Sequence, residues 1–532
     1  MKNKYLILLT FFAFVLSNCA RKGRPEGGPK DETAPIMVTA NPPYETIHFD
    51  DDNIRIYFDE YVVLKDLQKQ LVISPPMKNP PLITPQGTPS KFINIKIIDT
   101  LRPNTTYTFN FGNAVQDNNE NNKLESFKYV FSTGDYIDSL KIKGTVADAF
   151  GKDKVKEVSV LLYKIDSTYN DSVIFKQKPN YVTSTLDSTN FEFSNLREGK
   201  YLMLALKEPA SDYIFNSKTD KIGFVKDTIT LPKDTIVIDP IRFFKETQPY
   251  EFKRGKEVSK GKIQFGYQGY QEDMNVELLS EVPKDFKSFT QFETDKDTLN
   301  YWFTPIERDS LRFVVHNQNF KDTITVKLRK EKIDSLSVTS SVNGVLNLKD
   351  TLFIKTNNPI VSFDKSKFSL IDTDTVAVDF EMKKQAINKL AVLFEKKPKY
   401  GYFFKAVPKA ITDVYEITND SLDYKFTTRT VEDYGSIILD VQNKTKHPVI
   451  IELISRDKVL EKRYVNTTSK KIEFTLLEPQ EYNVRAIIDV NNNGQWDTGN
   501  FLKQQQPEKL IYSEAVYKLR ANWVQPEIFV IE

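Results

Sequence analysis

Apolar residues recur at every second position in short runs along most of the chain, as in Ile54, Ile56 and Phe58, in Phe92, Ile93, Ile95, Ile97 and Ile98, and in Tyr107, Phe109 and Phe111. Asn, Asp, Pro and Gly punctuate these runs, which predicts antiparallel strands joined by tight turns. Helical spacing is confined to Lys383–Leu393, where the pattern predicts one short helix. Many short strands at regular spacing imply an all-β chain of tandem sandwiches.

The first residues break this pattern. Lys2 and Lys4 precede an apolar run from Tyr5 to Leu16, too short to span a bilayer but suited to the apolar region of a signal peptide. The run ends in Leu16-Ser17-Asn18-Cys19, which resembles the bacterial lipobox, with Asn18 where Gly, Ala or Ser is usual. The resemblance implies cleavage before Cys19 and its acylation, the acyl (palmitate-type) chains forming the anchor. An ordinary signal peptide with an incidental cysteine is the alternative, and Cys19 being the only cysteine of the chain weighs against it. Residues 1–18 are thus expected to be a lipoprotein signal peptide. Residues 19–34, rich in Gly, Pro and charge, form a flexible tether. By analogy with other lipoproteins, Ala20 after the cysteine implies the outer membrane. The leaflet stays open, because Arg21 and Lys22 precede the acidic Glu26, Asp31 and Glu32.

Composition adds three constraints. With one cysteine in 532 residues there is no internal disulfide, so each domain must be held by its own apolar core. The 74 basic residues nearly balance the 72 acidic ones, and no basic block follows the tether, which argues against nucleic acid as a partner. The length suits three to five domains.

Residues 35–135 contain IRIYFDEYVVL, LVISPP, LRPNTTYTFNFGNAVQDNNENN and FKYVFSTG. Leu101, Pro103, Thr105 or Thr106, and Tyr107 fit the Leu-x-Pro-x-Thr-x-Tyr strand of the bacterial Ig-like family first described in surface-layer proteins, and the segment resembles that family. The pattern returns: Ala114-Val115-x-Asp117 followed by Phe127-x-Tyr129-x-Phe131 is matched by Ala410-Ile411-x-Asp413 followed by Leu422-x-Tyr424-x-Phe426. Residues 333–430 therefore read as a divergent Ig-like domain. A second repeat, Phe193-x-x-Leu196-x-x-x-x-Tyr201 and Phe474-x-x-Leu477-x-x-x-x-Tyr482, resembles the prealbumin-like or carboxypeptidase-regulatory-like sandwich. It marks residues 136–243 and 431–532, with Gly144 and Gly435 as the starts of the two units. Residues 244–332 form a β-rich intervening domain. The expected layout is a roughly linear rod of two alternating kinds of sandwich.

The most distinctive short motif is DVNNNGQWDTGN. Asp489, Asn491 and Asn493 occupy the first, third and fifth places of a calcium loop, Gly494 the sixth and Asp497 the ninth. Asn500 stands where an EF-hand has a bidentate Glu, and the low ligand charge predicts weak calcium affinity. The competing expectation is an Asx-rich turn in which the same side chains bind backbone N–H groups. With Tyr482–Arg485, Gln506-Pro507-Glu508 and Leu519–Trp523, this region resembles the C-terminal block of a Bacteroidota lipoprotein family that opens on the Ig-like domain. That resemblance implies no enzymatic activity. Arg485, Trp496, Arg520 and Trp523 form a candidate partner-facing patch, or else cap a sandwich end.

Catalysis finds little support. His48, His316 and His447 fall in different predicted units, and adjacent Asp59 and Glu60 match a structural turn of the Ig-like family. Asp followed by Ser or Thr and an apolar residue occurs twelve times, for example at Asp138-Ser139-Leu140 and Asp234-Thr235-Ile236, where ordinary composition gives roughly two. The triplet is similar to the periplasmic O-glycosylation signal of Bacteroidota, and it is also good turn chemistry before a strand; either way the hydroxyls should be exposed. The favoured function is a non-enzymatic, lipid-anchored envelope scaffold or binding subunit, partnered with an outer-membrane barrel complex for assembly, secretion or uptake. The alternative is a glycan-binding surface protein or accessory subunit for polysaccharide processing, with Tyr267, Tyr270, Tyr301 and Trp302 as a stacking surface.

Overall fold

The computed structural model describes residues 31–532 apart from Glu272 and Thr467. The signal peptide, Cys19 and most of the tether lie outside the described residues. Strands make up 49% of the structure and helices 3%, so the chain is all-β. Alternation drives this outcome. Along Asn53–Leu64, Ile54, Ile56 and Phe58 are buried while Asn53, Arg55 and Asp59 point to water, a period that only a strand can present to one core.

Five separate apolar clusters hold five sandwiches. In the first domain, the strands Met37–Asn41, Asn53–Leu64, Ser90–Lys96 and Leu82–Thr84 form one sheet in that order, and Val72–Ser74, Thr106–Gly112 and Phe127–Ser132 the other. Its core is centred on Phe109, Phe111, Tyr129 and Phe131, all fully buried. The fourth domain repeats the plan. One difference is that the long strand equivalent to Asn53–Leu64 is broken at Asn357–Pro359 into Leu352–Thr356 and Ile360–Phe363, as a proline without an N–H requires.

The second and fifth domains share a topology strand for strand. Leu140–Asp148 pairs with Asn190–Leu196 antiparallel and with Ile241–Phe243 parallel. Gly435–Asn443 pairs with Ser469–Leu477 antiparallel and with Val524–Ile531 parallel. The repeated tyrosines have one job in both: Tyr201 Oη donates to the carbonyl of Arg197 at 2.9 Å and Tyr482 Oη to that of Glu478 at 2.8 Å. The two glycines expected to mark equivalent starts are not equivalent. Leu196 pairs with Leu140 and Leu477 with Gly435, so Gly144 matches Leu439 instead.

Three further expectations are corrected. Lys383–Leu393 is no helix: Phe380–Ala386 and Lys389–Phe394 form a hairpin, with Met382, Leu390 and Val392 turned into the fourth core. The central domain's aromatics offer no stacking platform, since Tyr267, Tyr301 and Trp302 are buried and Tyr270 alone is exposed. The chain is also not a linear rod. A sixth cluster joins Phe224 of the second domain, and Phe244, which bridges Ile222 one residue past that domain's expected end, to Phe501 of the fifth, while Tyr415 of the fourth domain donates to the Gly261 carbonyl of the central one at 2.9 Å. With Gln248 Nε2 donating to the Ser217 carbonyl at 2.7 Å and the Leu348 N–H to Tyr434 Oη at 3.2 Å, contacts run from the second domain through the central, fourth and fifth domains and back to the second.

Candidate functional site

The loop at Asp489–Asn500 sits where the chain closes on itself. Strand Glu481–Ile488 delivers Asp489, buried at its end, and the loop returns toward the strand Leu510–Tyr512. Asp489 accepts the N–H of Asn493 on Oδ1 at 3.0 Å and that of Gly494 on Oδ2 at 2.8 Å. Gly494 takes a φ of 79°, which its lack of a Cβ permits. The side-chain amides of Asn491 and Asn493 donate to Asp497 Oδ2 at 2.6 and 2.8 Å. Two of the four candidate calcium ligands thus turn donors, rather than oxygens, toward Asp497, and both oxygens of Asp489 are taken by backbone N–H groups. These residues fit a self-satisfied Asx loop and do not fit a calcium cage.

Glu508 completes the loop, a role the sequence did not reveal. Its carboxylate accepts the N–H of Val490 at 2.7 Å and of Asp497 at 3.1 Å. Burial, reinforced by the charges of Asp497 and Asp489, pushes its carboxyl above the usual range against those two hydrogen bonds. The only signal in the sequence was Gln506-Pro507-Glu508, whose meaning depends on a fold that brings residue 508 back to 490.

The far side of the loop grips the second domain and the segment that leaves it. Thr498 Oγ1 donates to the Lys245 carbonyl at 2.7 Å, the Phe501 N–H to Glu246 Oε1 at 2.7 Å, and Gln506 Nε2 to the Phe224 carbonyl at 2.8 Å. Gly499 is essential to this approach, because a Cβ there would collide with the Phe244 ring. Trp496 packs 4.9 Å from Phe150 between ring centroids, and its Nε1 donates to the Glu508 carbonyl at 2.9 Å.

The four candidate interface residues divide into two pairs. Arg485 is buried, bridging Glu452 through Nε and Nη2 at 2.7 Å each. Its guanidinium lies over Phe150, and Nη1 donates to Tyr512 Oη. Arg485 and Trp496 are therefore used within the chain, against the second domain, rather than offered to an outside partner. Arg520 and Trp523 stay exposed, with the guanidinium 4.8 Å from the indole. They border exposed Val524 and Ile528 on the outermost strand of the fifth domain.

His48, His316 and His447 lie in the first, central and fifth domains. Asp59 and Glu60 sit inside the strand Asn53–Leu64, where its pairing with Ser90–Lys96 is irregular, and Asp59 accepts the N–H of Ile36 at 2.8 Å. Among the described residues, no group of three or more His, Cys, Asp or Glu is placed to hold a metal ion, and no helix is long and apolar enough to cross a membrane. In the Asp-Ser/Thr triplets, the hydroxyl residues are exposed except Thr298, Ser310 and Thr351, which are half-buried.

This is a tandem β-sandwich protein whose N-terminal region is Ig-like. The bacterial Ig-like domain model matches residues 31–133. No curated protein matches the chain. Among solved structures it is similar to domains 1–6 of the surface layer protein SbsC, 12% identical, covering 92% of this chain and 68% of that one with a TM-score of 0.16. It is also similar to a crystallised run of titin domains, 12% identical, covering 46% of this chain and 93% of that one with a TM-score of 0.14.

Proposed function

We propose that the chain is a non-enzymatic envelope scaffold, anchored to the outer membrane through acylated Cys19, that holds a binding surface for another envelope protein. One observation carries this reading: the strands are spent on five closed apolar cores and on the contacts joining them, while the histidines are dispersed and the most site-like loop is a structural clasp. An outer-membrane barrel complex for assembly, secretion or uptake is the partner class. The exposed Arg520–Trp523 pair, beside Val524 and Ile528, is one surface suited to it, since Trp and Arg anchor interfaces. The Ig-like match at residues 31–133 supports an extracytoplasmic setting, and the exposed Asp-Ser/Thr hydroxyls suit O-glycosylation.

The anchor is tested by growth with an alkyne fatty acid. Label on the wild-type chain and none on Cys19→Ser, with release of the variant from the membrane fraction, supports the proposal; equal fractionation of both contradicts it. Protease shaving of intact cells assigns the leaflet.

A further inference from the structure

A cleft of about 770 Å³ opens between the first and second domains. One wall is the outer face of Thr106–Gly112 and Phe127–Ser132, the other that of Leu140–Asp148 and Asn190–Leu196. The walls are fixed to each other: Thr108 Oγ1 donates to Asn195 Oδ1 at 3.2 Å, and Arg197 donates to the Asn104 carbonyl at 2.8 Å. The floor is polar, with Asn110, Lys128, Thr145 and Asn190 among its residues.

One lip is an open sheet edge. The Lys143 N–H donates to the Thr235 carbonyl at 3.1 Å and the Val237 N–H to the Lys143 carbonyl at 2.8 Å. Residues 235 and 237 thus face the sheet, and the backbone groups of Ile236 point away from it. Among the described residues, neither Ile236 nor Ile238 has a backbone hydrogen bond on that outward side. The two residues are 56% and 90% exposed. An unpaired row of N–H and C=O groups flanked by exposed aliphatics is a template for another strand.

Lys128 adds charge selection. Its Nζ reaches only the Ser194 hydroxyl at 3.2 Å and makes no ion pair among the described residues. Burial pushes its ammonium below the usual lysine range, with Glu192 attracting it through space. A sugar ligand is disfavoured, since Phe191, the cleft's aromatic residue, is buried in the core and offers no ring face.

We propose that this cleft captures an extended acidic peptide segment of a partner protein. The segment adds as a strand to Ile236–Ile238, seats aliphatic side chains on Ile236 and Ile238, and places a carboxylate at Lys128. This deepens the scaffold reading by giving the partner a docking site.

The test is selection of a random nine-residue phage-displayed peptide library on the full chain, followed by fluorescence anisotropy with the enriched peptides. The expected result is enrichment of alternating aliphatic residues with an Asp or Glu. Ile238→Pro, which removes an outward N–H, should weaken binding at least tenfold. Lys128→Met should erase the preference for the acidic peptide over its amide counterpart. N-methylation of the peptide's edge-facing amides should cost at least tenfold with the protein unaltered, which covers a variant that folds poorly. Enriched peptides that bind wild type and cleft variants equally, or no enrichment, overturn the proposal. The scaffold reading would survive that failure if the chain still co-purifies with a membrane partner.

Discussion

The guanidinium of Arg485 lies 4.2 Å from the centre of the Phe150 ring, so a buried ion pair of the fifth domain is roofed by an aromatic residue of the second. Glu452 neutralises Arg485, Tyr512 accepts from it, and the Tyr512 hydroxyl donates to the Phe150 carbonyl at 3.0 Å. Charge, ring and backbone together tie two domains that are distant in sequence.

Opening this clasp should change the molecule's shape. Phe501→Ala removes a fully buried ring and is expected to cost about 3–5 kcal/mol, and Gly499→Val should wedge the loop off Phe244. Small-angle scattering should show a larger radius of gyration for both, with new protease cleavage near residues 244–250. An unchanged radius would mean that other contacts hold the domains together.

The paired tyrosines predict matched losses. Tyr201→Phe and Tyr482→Phe each delete the hydroxyl's bond to a carbonyl in equivalent places, and Tyr482→Phe also deletes the one accepted from Gln480 Nε2 at 3.0 Å, at about 1 kcal/mol per bond. Hydrogen exchange should quicken in the second domain for the first variant and in the fifth for the other. Loss confined to neither domain would refute the equivalence.

Calcium should leave the melting temperature unchanged, because the oxygens of Asp489 are already engaged and Asp497 receives two amides. Asp489→Ala should destabilise by about 1.5–3 kcal/mol, the loss expected for hydrogen bonds to a charged group. A rise in melting temperature on adding millimolar calcium would show that the loop rearranges into a cation site.

Stability should also carry a signature of Glu208. Burial, then the side chain of Asp212, pushes its carboxyl up to about 8, despite the N–H groups of Asp212 and Tyr213 that it accepts. A raised folded-state value means that the folded chain holds the proton more tightly. The stabilisation is full below the ordinary value of 4.5 and is lost as pH rises through about 8. Glu208→Gln should therefore raise the melting temperature above pH 8 relative to wild type, and change it little in acid. A constant offset at every pH would contradict this.

What the sequence disclosed was local. Period-two alternation marks strands because each core takes one face, and Tyr201 and Tyr482 could be matched because a tyrosine and the carbonyl it serves lie within one turn. Lys383–Leu393 misled because Ile387, Leu390 and Leu393 recur at helical spacing, while the turn between Ala386 and Lys389 carries no Gly or Pro. The clasp was illegible for another reason. Trp496 and Phe501 look like any loop aromatics until folding places them on Phe150, Phe224 and Phe244.

The scaffold role meets its most direct test in affinity purification of the tagged full chain from native membranes in mild detergent, with quantitation of what accompanies it. Stoichiometric recovery of one outer-membrane protein, retained through a salt wash, is the predicted result. Recovery of the chain alone, together with specific binding to polysaccharide, would contradict it.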